Sequence, residues 1–374
     1  MVLVYIWVTM RVAEIIQEKI LTSGPISFHD FMEMALYYPG LGYYTSPGDR
    51  TGLNGDFYTS PTLTSLFGEM IGRQMEEMWT FLDKKPFTIV EYGAGSGTLC
   101  EAILNYCKNN RSFYNKLNYV IIEKNNSLHL RKIKDPKLKR CDSILALSPI
   151  NGCILANELV DNFPVHRVVM QQELMEVYVD YKDDFFEILR PASSALKEYL
   201  EEMGVFLPRG FRTEINLDAI KWLQEIGLAL ERGFVLTIDY GYAKGELYDS
   251  SRRNGTLVCY HKHAVNENIY SHVGEQDITS HVNFSALRHW GIKKGLDCCG
   301  FTDQAQFLLG LGLSDYLRKL ETGKGKEQVA NTANTSFSLY KLLVDMGKKF
   351  KVMIQQKGLG HPFLSGIRFS HRQV

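Results

Sequence analysis

Two kinds of apolar periodicity follow one another along the chain. Val12, Ile15, Ile16 and Ile20 recur at the spacing of one helix face, and Phe31, Met34 and Ala35 resume it after a break at Gly24-Pro25. Two helices are predicted over residues 10–38, the second opened by Ser27 with Asp30 three positions on, close to a capping box. A further helix is predicted over about 62–83, with Leu63, Leu66, Phe67, Met70, Ile71, Met75, Met78 and Trp79 on one side. Its methionines read as core rather than as a binding groove. Between these helices lies Tyr37-Tyr-Pro-Gly-Leu-Gly-Tyr-Tyr44, continuing through Gly52 and Gly55 to Pro61. This stretch is too rich in Gly, Pro and Tyr for regular structure and too aromatic for a solvated linker, so it must pack against something.

From residue 87 the period changes. Phe87–Tyr92, Tyr119–Glu123, Cys153–Ala156 and Phe234–Asp239 are short, almost unbroken apolar runs. Helical patterns separate them: one carrying Leu99, Ala102, Ile103 and Tyr106, one near 193–203, and a longer one over 215–231. Strands apolar on both sides and alternating with helices predict an α/β fold with a parallel sheet covered on both faces. Val165–Gln171, Leu174–Tyr181 and Phe185–Leu189 read instead as antiparallel strands. There are no internal repeats. The expected organisation is an N-terminal helical cap with an aromatic, Gly-rich loop over 1–84, then a domain over 85–374 with insertions near 165–215 and 245–290.

Composition narrows the classes. The 374 residues include 42 basic and 42 acidic side chains, so no global field is available to hold a polyanion. Neither nucleic-acid binding nor membrane insertion is expected. The cysteines at 100, 107, 141, 153, 259, 298 and 299 form no CxxC pair, which argues against a disulfide framework and a structural zinc site. Met1 to Thr9 is apolar but lacks a basic flank and has about half the length of a membrane span. An over-long start with Met10 as the initiator is expected, and a cytoplasmic location, or a mitochondrial one in a eukaryote. His261-x-His263 has no third metal ligand at a recognisable spacing and reads as a surface turn; Cys298-Cys299 reads as core packing, and Lys348-Lys-Phe-Lys351 as a solvated basic run.

In open parallel sheets ligands bind beyond the carboxyl ends of the strands. The first such end is Glu91-Tyr-Gly-Ala-Gly-Ser-Gly97. A tight strand-to-helix turn accounts for one of Gly93, Gly95 and Gly97, not for three; a nucleotide-like ligand approached closely by backbone accounts for all. The third glycine comes one residue too early for the dinucleotide fingerprint, and no Lys follows as a phosphate-binding loop requires. Glu91 would oppose a pyrophosphate and suit a cationic ligand. Glu123 ends the second strand, where an acid bonds ribose hydroxyls in this architecture.

An acid followed by three alternate glycines, with another acid ending the next strand, resembles the S-adenosylmethionine (SAM) site of Rossmann-like, class I methyltransferases. More specifically, the chain resembles the MidA-like family, whose mitochondrial member assists assembly of respiratory complex I as a protein-arginine methyltransferase. The resemblance runs almost end to end. It is carried by Ile26 to Met32, Tyr38 to Tyr44, Gly55 to Pro61, Phe67 to Glu69, Glu91 to Leu99, Ala156 to Asp161 with Pro164, Ile238 to Gly241, Gly255-Thr256, and Gly274-Glu-Gln-Asp-Ile-Thr279 with His281-Val282. Tyr92 and Ala94 stand where relatives often carry Leu and Pro.

The resemblance implies that Gly93, Gly95 and Gly97 lie against the methionine part of SAM, with Glu91 at its cationic end and Glu123 at the ribose. Asn157 and Glu158 would follow the fourth strand beside the transferred methyl. There Glu158 and Asp161 could clamp a guanidinium in paired hydrogen bonds. Against that, Glu158 could merely be an acid favoured at a helix start. Asp56, Glu275 and Asp277 are the further candidates for contact with a cationic substrate. A protein substrate is expected, and a homodimer is left open. Methylation of a small molecule, or a SAM-binding assembly factor acting through protein contacts, are the alternatives.

Overall fold

The computed structural model describes residues 11–47, 60–124, 133–262, 264–266, 268–315, 318 and 338–370. Seven strands form the body of the central sheet: β1 (Phe87–Tyr92), β2 (Leu117–Ile122), β3 (Leu138–Arg140), β4 (Ile150–Asn157), β5 (Leu230–Tyr242), β6 (Asp297–Asp303) and β7 (Phe350–Lys357). Their order is β3-β2-β1-β4-β5-β7-β6, and Val282–Asn283 pairs with the end of β5 as a short eighth strand. β1 to β5 are mutually parallel, whereas β7 runs antiparallel to both β5 and β6. The open parallel sheet expected from the apolar runs is therefore present, with one reversed strand inside it.

Alternation along each strand sends side chains to two different cores. Ile89, Leu155 and Leu236 join the cluster that includes residues of α3 (Ser65–Phe81) and α4 (Thr98–Cys107). Val90, Ile154 and Val235 join the opposite one, with α5 (Leu217–Ala229) and α6 (Phe284–Lys293). Met70, Met75 and Met78 are buried in the first cluster, as core residues. On that side α3 and α4 approach closely: a Cβ at Gly68 would stand 2.3 Å from Ala102 Cβ, and one at Gly72 2.6 Å from Tyr106 Cδ1.

The N-terminal helices α1 (Val12–Ser23) and α2 (Phe28–Tyr37) take no part in either cluster. The sequence places antiparallel strands over 165–189, and they are found at His166–Met170, Leu174–Tyr181 and Phe185–Pro191, extended by Arg212–Ile215 and Ile26–Ser27 into a separate five-stranded sheet. Ile16, Ile20, Phe31 and Leu36 pack with Val177 and Val179 of that sheet, and with Val165 just before it, in a third core. The aromatic segment after α2 is packed as expected, with Tyr43 fully buried.

Several elements differ from the expectation. β6, β7, α6 and a helix over Gln304–Gly310 were not foreseen. Lys348 to Lys351 is not simply a solvated run, because Phe350 is fully buried and opens β7. His261 is stacked on His272 with ring centroids 4.2 Å apart, while His263 lies outside the described residues. Among the described residues no helix is long and apolar enough to cross a membrane.

Candidate active site

β1 ends at Tyr92, and the chain turns at once into α4 through Gly93, Gly95 and Gly97, whose φ angles are +65°, +53° and +82°. L side chains rarely adopt that region, so the glycine spacing reflects backbone need. Gly93 and Gly95 line a cavity of about 1020 Å³ above the carboxyl ends of the strands. Gly97 does not line it and instead occupies the N-cap position of α4. A Cβ at Gly95 would meet nothing within 4 Å, whereas one at Gly93 would stand 2.9 Å from Leu159 Cδ1. The open space beside Gly95 is volume for a ligand.

Of the two acids of this half, one holds the turn and the other lies beneath it. Glu123, just past β2, accepts a hydrogen bond from the Gly95 N–H at 3.3 Å. Glu91 lies deeper, 2% exposed, and its Oε2 accepts from the Tyr119 hydroxyl at 2.8 Å. Burial pushes its pKa up to about 7, against the opposing effect of the Tyr119 hydrogen bond. Asp142, beyond β3, also lines the cavity and was not anticipated.

The other half is built on the ends of β4 and β5. Asn157 closes β4, and Glu158 follows in a left-handed conformation, φ +52°, that a Glu rarely holds. Its backbone N–H donates to Ile238 O at 2.9 Å. Its Oε1 accepts from Ser60 N at 3.2 Å and from Asn157 Nδ2 at 3.3 Å, while Oε2 has no hydrogen bond among the described residues. Asn157 Oδ1 is buried without a partner among those residues. Asp239 Oδ2 accepts from the backbone N–H groups of Leu159 and Val160 at 3.1 and 2.8 Å, and so fixes the turn that carries Glu158 and Asp161.

Four carboxyl groups thus crowd this end: Glu158, Asp161, Asp239 and Asp277. Asp161, Asp239 and Asp277 are at most 3% exposed. Burial, reinforced by the neighbouring acids, raises Glu158 to about 8 and holds Asp161 well above the ordinary carboxylate range. Burial also raises Asp239 to about 7, although four backbone hydrogen bonds oppose the shift. Such displaced acids in a cleft mark functional sites more often than chance.

The sequence candidates divide accordingly. Glu91, Gly93, Gly95, Glu123, Asn157, Glu158, Asp161 and Asp277 all border one cavity. Glu275 is exposed and does not border it, because Gln276 turns inward and Glu275 outward. Asp56 lies outside the described residues. Tyr37, Tyr44, Tyr240 and Tyr260 also line it and were not foreseen as site residues; Asp239, not foreseen either, is fully buried, does not border the cavity and acts through the turn it holds. Asp239 carried the same signal as Glu123, an acid ending an apolar run; the tyrosines carried only that of an aromatic loop needing something to pack on.

The arrangement fits SAM on its own terms. The volume exceeds what a drug-sized ligand requires, leaving room for an acceptor group beside it. The Gly95 cradle would be filled by any side chain, and Glu123 stands where an acid meets ribose hydroxyls.

Comparison with known proteins agrees. Residues 70–302, more than half of the chain, match the family described as putative S-adenosyl-L-methionine-dependent methyltransferase. The chain is 26% identical to the mitochondrial protein arginine methyltransferase NDUFAF7 homologue of Drosophila melanogaster, over 93% of this chain and 85% of that protein. It is also 26% identical to the mitochondrial protein arginine methyltransferase NDUFAF7 of Homo sapiens, over 94% and 84%. A likely methyltransferase from Burkholderia thailandensis, solved bound to S-adenosyl-homocysteine, superposes with a TM-score of 0.86 at 28% identity, covering 97% of this chain and 95% of that one. The glycine turn, the strand order and these matches converge on one assignment: the chain belongs to the S-adenosyl-L-methionine-dependent methyltransferases.

Proposed function

We propose that this methyltransferase modifies an arginine side chain of a protein substrate. The observation that carries the reading is the group of Glu158, Asp161 and Asp277 on the cavity wall, with Asp239 buried behind them. Buried acids so close repel one another, and a planar cation with several N–H donors relieves that repulsion while satisfying their oxygens. The naming of the relatives as protein arginine methyltransferases supports the same acceptor.

SAM, when bound, supplies an electrophilic methyl group. The residues of this chain have to bind, orient and dehydrate the nucleophile facing it. Glu158 would serve this: Ser60 N and Asn157 Nδ2 fix Oε1, and Oε2 is left to take an N–H of the acceptor. Asp161 and Asp277 would hold the remaining donors. A guanidinium is cationic in water, with a pKa above about 12, so carboxylates that localise its positive charge on the other nitrogens leave electron density on the one that attacks the methyl. The proton lost from the alkylated nitrogen has acids nearby whose affinity for it is raised, Glu158 foremost. Tyr37, Tyr44, Tyr240 and Tyr260 exclude water around these groups.

The test is incubation of the purified protein with methyl-labelled SAM and a lysate, followed by acid hydrolysis of the labelled polypeptide. Label recovered as methylarginine is expected. Label recovered only in small molecules, or as base-labile methyl ester, would overturn the reading.

A further inference from the structure

Two stretches singled out in the sequence, Tyr37 to Tyr44 and Gly274 to Thr279, lie far apart along the chain. The fold joins them. Gly274 has φ +82°, and a Cβ there would stand 2.2 Å from Val12 Cγ1 and 3.3 Å from Leu41 O, so only glycine lets this loop lie on the N-terminal segment. Tyr37 and Tyr44 stack with ring centroids 5.6 Å apart at 22°. The Tyr37 hydroxyl donates to Asn162 O at 3.2 Å. The Tyr44 hydroxyl lies 2.5 Å from Asn162 Oδ1 and 2.8 Å from Asp277 Oδ1. Asn162 Nδ2 in turn donates to Asp161 Oδ1 at 2.8 Å. One phenol therefore connects three segments distant in sequence and, through one amide, two of the acids at the acceptor end.

We propose that Tyr44 is a positioning residue of the acceptor site, holding Asp277 and, through Asn162, Asp161 in the arrangement that receives a guanidinium group. The proposal rests on the arginine reading. Once a substrate cation draws off their protons, two buried carboxylates repel and would separate unless something holds them. A lysine or arginine could hold them, but it would occupy the place of the substrate's own cation. A hydroxyl, with one proton to give and a lone pair to receive one, joins Asn162 and Asp277 without adding a cation of its own. Burial keeps the Tyr44 phenol well above its ordinary pKa, so it remains a donor across the working range. Phenylalanine would fill the same volume and hold nothing.

The experiment is calorimetric titration of ethylguanidinium, with butylammonium as control, into the full-length protein loaded with S-adenosyl-homocysteine. The wild type is expected to bind ethylguanidinium in preference to butylammonium. Tyr44→Phe should bind S-adenosyl-homocysteine within about two-fold of wild type while losing on the order of 10-fold in ethylguanidinium affinity, the scale of one hydrogen bond to a charged group. Asn162→Ala cuts the same connection from the other side and should reproduce the loss, so the outcome does not depend on one variant folding. A merely structural role would lower thermal stability and leave the preference for guanidinium over ammonium unchanged. Wild-type protein that ignores ethylguanidinium would overturn the arginine reading itself. Wild-type binding that both variants retain in full would overturn the role of Tyr44 alone.

Discussion

Gly95 and Glu158 face the cavity from opposite halves, and both stand at left-handed φ, +53° and +52°. At Gly95 the conformation and the open space beside it make the same demand. Gly95→Val should abolish SAM binding by calorimetry with the fold intact, since a β-branched side chain resists that φ and fills the ligand's volume. Unchanged affinity would move the cofactor elsewhere. At Glu158 the charge is what matters. Glu158→Gln should keep SAM affinity within a few-fold while methyl transfer falls on the order of 100-fold, equivalent to about 2.7 kcal/mol of transition-state stabilisation. The same variant has a signature in stability. The folded protein keeps the Glu158 proton up to about pH 8, whereas the unfolded chain releases it near the ordinary 4.5. The native state therefore binds more protons across that window, and its stability falls as pH rises through it. Glu158→Gln removes this contribution, so its melting temperature should gain on wild type between pH 5 and pH 8; parallel melting profiles would show that the Glu158 pKa is not raised. The acid at 158 was legible in the sequence as a strand-end residue beside Asn157. Its positive φ was not, because nothing in a Glu marks a left-handed position as a glycine does.

Among the elements, α3 and α4 matter most to the site, because α4 begins at the glycine turn. Their approach leaves no room for a Cβ at Gly68, 2.3 Å from Ala102 Cβ. Gly68→Val should therefore cost about 1–3 kcal/mol through overpacking. It should also weaken S-adenosyl-homocysteine binding, since α4 can yield only by displacing the turn; a denaturant midpoint lowered with ligand affinity intact would uncouple the two. The apolar runs of β1, β2, β4 and β5 announced themselves because both faces of each are buried. β7 did not, although it is equally central. Gln355 and Gln356 cut its apolar run short and are buried all the same, their amides donating to Leu287 O and Asp297 Oδ2. Polar side chains held by partners far along the chain are invisible to a local periodicity.

For the molecule as a whole, ligand binding should appear as stabilisation. S-adenosyl-homocysteine at about 100 times its Kd should add roughly 2.7 kcal/mol and raise the melting temperature by several degrees, whereas NAD at the same concentration should not. A larger shift with NAD would contradict the cofactor assignment. The partnership of α1 and α2 with the 165–215 strands could not be read from the sequence, since both partners are merely amphipathic and the pairing is a fact of three dimensions. The strand order has a further consequence, in synthesis rather than catalysis. β7 inserts between β5 and β6, pairing Gly233–Tyr240 on one side and Asp297–Asp303 on the other. On a ribosome the whole cofactor half emerges long before the strand that joins the sheet's two parts, so β5 and β6 each wait with an unpaired edge. Contacts so distant in sequence close slowly, and open edges invite pairing with other chains. Nascent chains arrested before Phe350 should accordingly be the species most prone to aggregate and most dependent on chaperones.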